Sequence, residues 1–254
     1  ARENAELLYE SSAYYKYIIM RMKGIAARTA WEVIKFYRSS EFRPYGFEIK
    51  IGSDGDIPVM KVMDDTGSMI AGVKGRIDRA DTAELDGARL VSVIDYKSSA
   101  KGLDVKLAED GITIQPLLYT SILCDNIKDA VPAAMVYMPM SDPIIEESDF
   151  DRKGIEAAVN SKMHPSGWIA DDEKIIAAYA ADTDKKMGSF MPSGSDSVVS
   201  RTELKRRIDI ANEKIRESAK GISCGLIKVS PYKAKGKHDA CEYCLYGGIC
   251  QYEK

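Results

Sequence analysis

The sequence predicts an α/β protein: a mixed β-sheet flanked by helices. Three observations carry that expectation. Asp86-Gly87, set between alternating apolar residues, is a hairpin signal, because both central positions of a type I′ turn need positive φ. A strand, a helix and another strand succeed one another between residues 88 and 139, which requires a crossover and at least one parallel pair. Apolar residues at helical spacing occupy both ends of the chain, at 3–38 and about 200–219.

The elements follow in order. In 3–38, Leu7, Leu8, Tyr14, Tyr15, Ile18, Ile19, Met22, Ile25, Trp31, Ile34 and Tyr37 recur at helical spacing, with Gly24 marking a bend or a division. The aromatic residues read as a packing stripe rather than a base-stacking platform. Arg21, Lys23, Arg28, Lys35 and Arg38 read as a solvated basic face. Strands are expected at 45–51 and 57–63 around the SDGD turn. Residues 69–79 then lead into Asp78, as an antiparallel meander feeding the hairpin. Glu48 reads as an exposed strand residue, with an extra acid near a metal as the sharper alternative.

After Lys97, SSAKGLDVKLAEDG reads as loop, and Ser98 and Ser99 read equally as phosphate contacts and as a loop start. A helix over 112–125 tolerates Pro116 in its first turn and buries Leu117, Leu118, Ile122 and Leu123. VPAAMVYMP at 131–139 reads as a central strand. Residues 151–187 look helical, interrupted by HPSGW, with Asp171 as an N-cap. Residues 188–199 read as a linker, 200–219 as an amphipathic cover for the sheet, and 224–229 as a short strand before a lysine-rich tail. His164 and His238 read as surface residues, so no histidine is offered as a nucleophile's partner.

The chain has 254 residues, 45% of them hydrophobic and 30% charged, which suits one large domain with a core of useful size. It has no run of 18 apolar residues and opens with no signal-peptide pattern, so neither a membrane nor a secretory route is indicated. A net charge of −3 means that any contact with nucleic acid uses a local basic patch. No P-loop is present, so ATP is not handled within these residues. The chain begins inside a helical pattern, which suggests a piece of a longer protein; a tag remnant is the alternative.

The chemistry concentrates in GRIDRADTAELDGARLVSVIDYK, residues 75–97. A turn centred on Asp86-Gly87 sets Ala80 against Val93, Thr82 against Val91, Glu84 against Arg89, and Asp78 against Asp95. Residues directly opposed have Cβ atoms roughly 4.5–5.5 Å apart, and like charges there are unfavourable unless a cation lies between them. Lys97 shares the face of Asp95, two residues on. Two carboxylates suit a hard divalent cation such as Mg²⁺. A neighbouring lysine positions or deprotonates a water. The alternative is a solvated hairpin with three surface charges. Gln115 and Tyr119, at i and i+4, share one helix face. The chain ends in Cys241, Cys244 and Cys250 as C-x2-C-x5-C, a spacing that reads as metal binding but is one thiolate short of four. Cys124 reads as core and Cys224 as a weak candidate.

GRIDR, then VIDYKSS, then Gln115 and Tyr119 in IQPLLYT resemble the core of the PD-(D/E)XK nuclease superfamily in its RecB-like branch; Ile77 stands where the superfamily's name has proline. The cysteine triplet is similar to that ending the nuclease domain of AddB-type subunits of bacterial helicase–nucleases. The resemblance implies a restriction-endonuclease-like fold with a cysteine-bearing C-terminal tail. The nuclease domain would span 1–230, with an N-terminal helical segment at 1–40, a catalytic core at 45–140 and a helical cover at 150–220, followed by a tail at 231–254. It implies Asp78, Asp95 and the Tyr96 carbonyl as ligands of Mg²⁺ or Mn²⁺, Lys97 as the residue that acts on water, and Gln115 and Tyr119 as substrate-arranging residues. It further implies Cys241, Cys244 and Cys250 as three ligands of a [4Fe–4S] cluster whose fourth cysteine precedes this chain, DNA and a helicase–nuclease subunit as partners, and a cytoplasmic place. The histidine that RecB-like nucleases often carry in a helix before the first strand is missing ahead of His164. The other readings are a catalytically silent DNA-binding or scaffold module and a CRISPR-associated RecB-like exonuclease.

Overall fold

The computed structural model describes residues 12–98, 102–141, 143, 154–155, 158–159, 162–180, 192, 196–232, 241 and 244–250. The expectations for residues 1–11, Ser99, 181–191, His238 and the rest of the lysine-rich tail lie outside them. Helix α1 (Ala13–Ser39) is capped by Ser12, whose side chain accepts from the Tyr15 N–H. It leads into β1 (Arg43–Ile51), β2 (Met60–Met63), β3 (Met69–Val73), β4 (Gly75–Leu85) and β5 (Ala88–Lys97). Then come α2 (Val105–Glu109), α3 (Gln115–Asn126), β6 (Ala130–Pro139), β7 (Ser166–Ala170), α4 (Glu173–Tyr179), β8 (Val198–Val199), α5 (Arg201–Ser223) and α6 (Gly247–Cys250).

Six strands form a mixed sheet in the order β1–β4–β5–β6–β7–β8. β5 and β6 run parallel at its centre, joined by the α3 crossover, and β1–β4, β4–β5 and β6–β7 are antiparallel. Strand β6 is central, as its continuous apolar run predicts. A large cluster joins Phe36 and Phe42 to Leu90, Ile94, Met135, Trp168, Tyr179 and Leu204. A smaller one seats Tyr119, Ile122 and Leu123 of α3 against Ala80, Val91 and Val93. The face of β5 that lies under α3 therefore continues, at period two, to Asp95 and Lys97.

Several elements depart from expectation. α1 runs through Gly24 without a break. Phe36 packs, but Tyr14, Tyr15, Tyr17 and Trp31 are exposed, so the aromatic stripe is not a packed one within the described residues. The meander is interrupted: β1 pairs directly with β4, and β2 and β3 form a separate two-stranded sheet. The segment after Lys97 contains α2, because Asp104 caps it by accepting from the Lys106 and Leu107 N–H groups. SGWIA within the expected helical cover is strand β7, with Trp168 buried, and the helix cap is Asp172 rather than Asp171. CGLIKV is not a strand. Cys224 caps α5, and Leu226 and Ile227 are exposed, the latter at 92%. α5 itself is capped by Ser200, which accepts from the Glu203 N–H, and buries Leu204, Ile208 and Ala211.

Gly167 pairs with Val136 where β7 meets β6. A Cβ there would lie 2.0 Å from the Met135 carbonyl oxygen. Such a clash is with backbone, which cannot turn aside. Gly167→Ala is therefore expected to cost roughly 3 kcal/mol or more, in the tail of single substitutions. Urea unfolding measures it, and an unchanged midpoint would contradict this packing.

Candidate active site

The hairpin forms as its turn dictates. Asp86 and Gly87 have φ of 51° and 82°, the two positive values of a type I′ turn. From there Leu85 pairs with Ala88, Glu84 with Arg89, Thr82 with Val91, Ala80 with Val93 and Arg79 with Ile94. Glu84 and Arg89 form an ion pair at 2.6 Å, and Lys174 of α4 pairs with Asp86 at the turn. One step beyond the last of these pairs, the same register sets Asp78 against Asp95.

There the ladder gives way to side chains. The Tyr96 N–H donates to Asp78 Oδ2 at 3.0 Å. Asp95 is buried, with its Oδ2 turned toward Lys97. The Lys97 ammonium lies 2.5 Å from that oxygen and 4.8 Å from the centre of the Tyr137 ring. Burial raises the Asp95 carboxyl above the usual carboxylate range. Lys97 opposes that shift and the Asp78 charge adds to it. Burial, then the Asp95 charge, pushes the Tyr137 hydroxyl up to about 12. The structure thus brings Asp78, Asp95 and Lys97 together at one end of the sheet.

The donor set fits a hard divalent cation. It consists of two carboxylates, the buried Asp95 and the facing Asp78, whose charge adds to the cost of holding Asp95 ionised. Among the described residues no group of three His, Cys, Asp or Glu side chains is gathered for a metal.

Gln115 and Tyr119 stand beside this trio rather than on it. Gln115 Nε2 donates to Tyr119 Oη at 3.1 Å, and the Arg76 N–H donates to the same hydroxyl at 3.4 Å. A Cβ at Gly75 would lie 2.9 Å from that oxygen, so glycine is what admits the tyrosine to the start of β4. Ser98 and His164 are exposed. Glu48 is exposed, with φ of 51°, and its carboxylate pairs with Arg76 at 2.7 Å, as the plainer reading of it expected.

Behind the trio lies a cluster that the sequence reading missed. Arg79 and Asp81 point to the other face of β4, each fully buried and ion-paired. Tyr37 of α1 donates to Asp81 Oδ1 at 3.2 Å, and Arg79 Nη1 donates to Tyr96 Oη at 3.2 Å. The available signal was two charged residues at alternate positions of a strand whose partners Ile94 and Ser92 are buried.

Of the three tail cysteines, Cys241 is half-buried and Cys244 and Cys250 are exposed. They are three, where a [4Fe–4S] cluster takes four thiolates. Cys124 is half-buried, and burial, with Asp125 nearby, pushes its thiol up to about 12. At pH 8 it is therefore protonated and unreactive. A maleimide is expected to label Cys244 and Cys250 in the folded protein and to spare Cys124, as peptide mass mapping would show; rapid labelling of Cys124 would contradict its burial.

A sequence model of the PD-(D/E)XK nuclease superfamily matches residues 1–251. The chain is 30% identical over 261 residues, 97% of its own length, to an ATP-dependent helicase/deoxyribonuclease subunit from Clostridium acetobutylicum. It is 29% and 30% identical, over 96% of its length, to the proteins of that name from Geobacillus thermodenitrificans and Geobacillus kaustophilus. It spans about a fifth (22%) of the length of each of these relatives. With its hairpin acids, its D-x-K lysine and a match running almost from end to end, the chain belongs to the PD-(D/E)XK nuclease superfamily.

Proposed function

We propose that this chain is the nuclease domain of an ATP-dependent helicase–nuclease, cutting DNA phosphodiester bonds with a divalent cation. The observation that carries this is the buried Asp95 carboxylate, set opposite Asp78 by the hairpin register and 2.5 Å from Lys97. Asp78 and Asp95, with the carbonyl of Tyr96, hold Mg²⁺ or Mn²⁺. The cation supplies positive charge beside the scissile phosphate. Lys97 hydrogen-bonds and orients the attacking water on one side and, through its charge, steadies the negative charge that grows on the phosphoryl oxygens. Asp95 keeps that ammonium in place. Gln115, exposed at the start of α3, and the buried Tyr119 hydroxyl that it holds arrange the substrate backbone.

Residues 1–230 form the catalytic unit and 231–254 a tail whose three cysteines contribute to a [4Fe–4S] cluster only when the longer polypeptide supplies a fourth. The partners are DNA and a second helicase–nuclease subunit, and the setting is the cytoplasm, in the processing of DNA breaks for recombination repair. That no helix among the described residues is long and apolar enough to cross a membrane accords with it.

The test is cleavage of linear duplex and single-stranded DNA by this chain with Mg²⁺ or Mn²⁺. Cleavage is expected to vanish with EDTA and to fall by about 10³-fold or more in Lys97→Ala, the scale of one electrostatic group in such a site. Metal-independent cutting, or full activity in Lys97→Ala, would overturn the proposal.

A further inference from the structure

The buried ion pair behind the site is unusual in its placement. Replacing such a pair by apolar residues of similar volume is often neutral or stabilising, so an Arg–Asp pair in a core needs a reason other than stability. Here its reach supplies one. Arg79 donates to Asp81 through Nε at 2.9 Å and extends Nη1 to the Tyr96 hydroxyl at 3.2 Å. Its guanidinium lies 4.6 Å from the Tyr37 ring centre and 5.6 Å from that of Phe36, which leaves it one direction in which to point. Tyr96 sits between Asp95 and Lys97 and faces the opposite side of the sheet from both. Its side chain is thus gripped from behind, while its backbone N–H holds Asp78 Oδ2 in front at 3.0 Å.

We propose that the Arg79–Asp81 pair is a positioning device: by holding the Tyr96 hydroxyl, it fixes the β5 backbone whose N–H orients the Asp78 carboxylate. The proposal rests on the reading of Asp78 and Asp95 as nuclease acids. Tyr37 extends the same grip to α1 through Asp81, so the N-terminal helix is tied to the geometry of the acids without touching them. Outer-shell groups of this kind usually change metal affinity or activity by about 10–100-fold when removed.

The test compares wild type with Tyr96→Phe, which removes one hydroxyl, and with the double variant Arg79→Met/Asp81→Leu, which keeps the buried volume without charge. Three quantities are read: thermal unfolding, Mn²⁺ affinity by electron paramagnetic resonance, and hydrogen exchange of the residue 96 amide by nuclear magnetic resonance. Both variants are expected to unfold cooperatively, to bind Mn²⁺ about tenfold or more weakly, and to exchange that amide faster. Wild-type affinity and wild-type exchange in both variants would overturn the proposal. A wild type that takes up no Mn²⁺ would instead overturn the nuclease reading. The amide then decides alone: faster exchange in the variants upholds the positioning role, and unchanged exchange ends it.

Discussion

Replacing Asp95 by Asn is expected to end divalent-dependent cleavage and, in the same protein, to raise thermal stability. The first effect follows from losing a ligand whose contribution to phosphoryl transfer is several kcal/mol, about 10³-fold or more in rate. The second follows from the electrostatics of the metal-free site. Asp95 is buried and faces Asp78, and Lys97 does not fully compensate, so its folded carboxyl titrates above the ordinary 3.8. The folded protein then binds this proton more tightly than the unfolded chain does. The contribution of Asp95 to stability is fully present below 3.8 and is lost as pH rises through the raised folded value. Asn carries no charge to lose. In chelator at pH 7 the variant should melt higher, by about 2–4 °C for each kcal/mol relieved, and the gap should narrow at pH 4. A variant melting at or below wild type at pH 7 would show that the carboxylate is not held at a cost.

Arg79→Met alone should be among the most damaging substitutions in the chain. It leaves the Asp81 carboxylate fully buried with the Tyr37 hydroxyl as its remaining hydrogen-bond donor among the described residues. Breaking a buried pair in this way costs roughly 3–5 kcal/mol. At 2–4 °C per kcal/mol that is a fall in Tm of roughly 6–20 °C. Adding Asp81→Leu should recover most of the loss, because both charges are then gone. Calorimetric unfolding of the single and double variants checks this. A single variant within about 1 °C of wild type, or a double variant no better than the single one, would contradict the burial of the pair.

The active-site hairpin was legible because its turn counts for it. Asp86-Gly87 can close a two-residue loop in one register, and that register alone decides that Asp78 meets Asp95. The central β6 strand and α5 were legible for similar local reasons, a continuous apolar run and an amphipathic pattern over 200–219. Pairing between distant segments was not. Nothing local to IPVMKVM says that it leaves the main sheet to pair with MIAGV, because both arrangements satisfy a period of two. CGLIKV has the composition of a strand but finds no partner among the described strands. SGWIA is a strand because its glycine lets it press against β6, a tertiary reason with no signature in neighbouring residues. The Arg79–Asp81 pair was hidden in the motif itself: beside Asp78, GRIDR reads as one cluster of charge, although alternate residues face opposite sides of the sheet.

We propose above all that Asp78 and Asp95 together hold a divalent cation. Titration calorimetry of Mn²⁺ into the 254-residue chain, beside Asp78→Asn and Asp95→Asn, tests it most directly. One ion per wild-type chain, with that binding lost or weakened at least tenfold in each variant, is the predicted result. Binding that survives both substitutions, or a wild type that takes up no ion, would contradict the account.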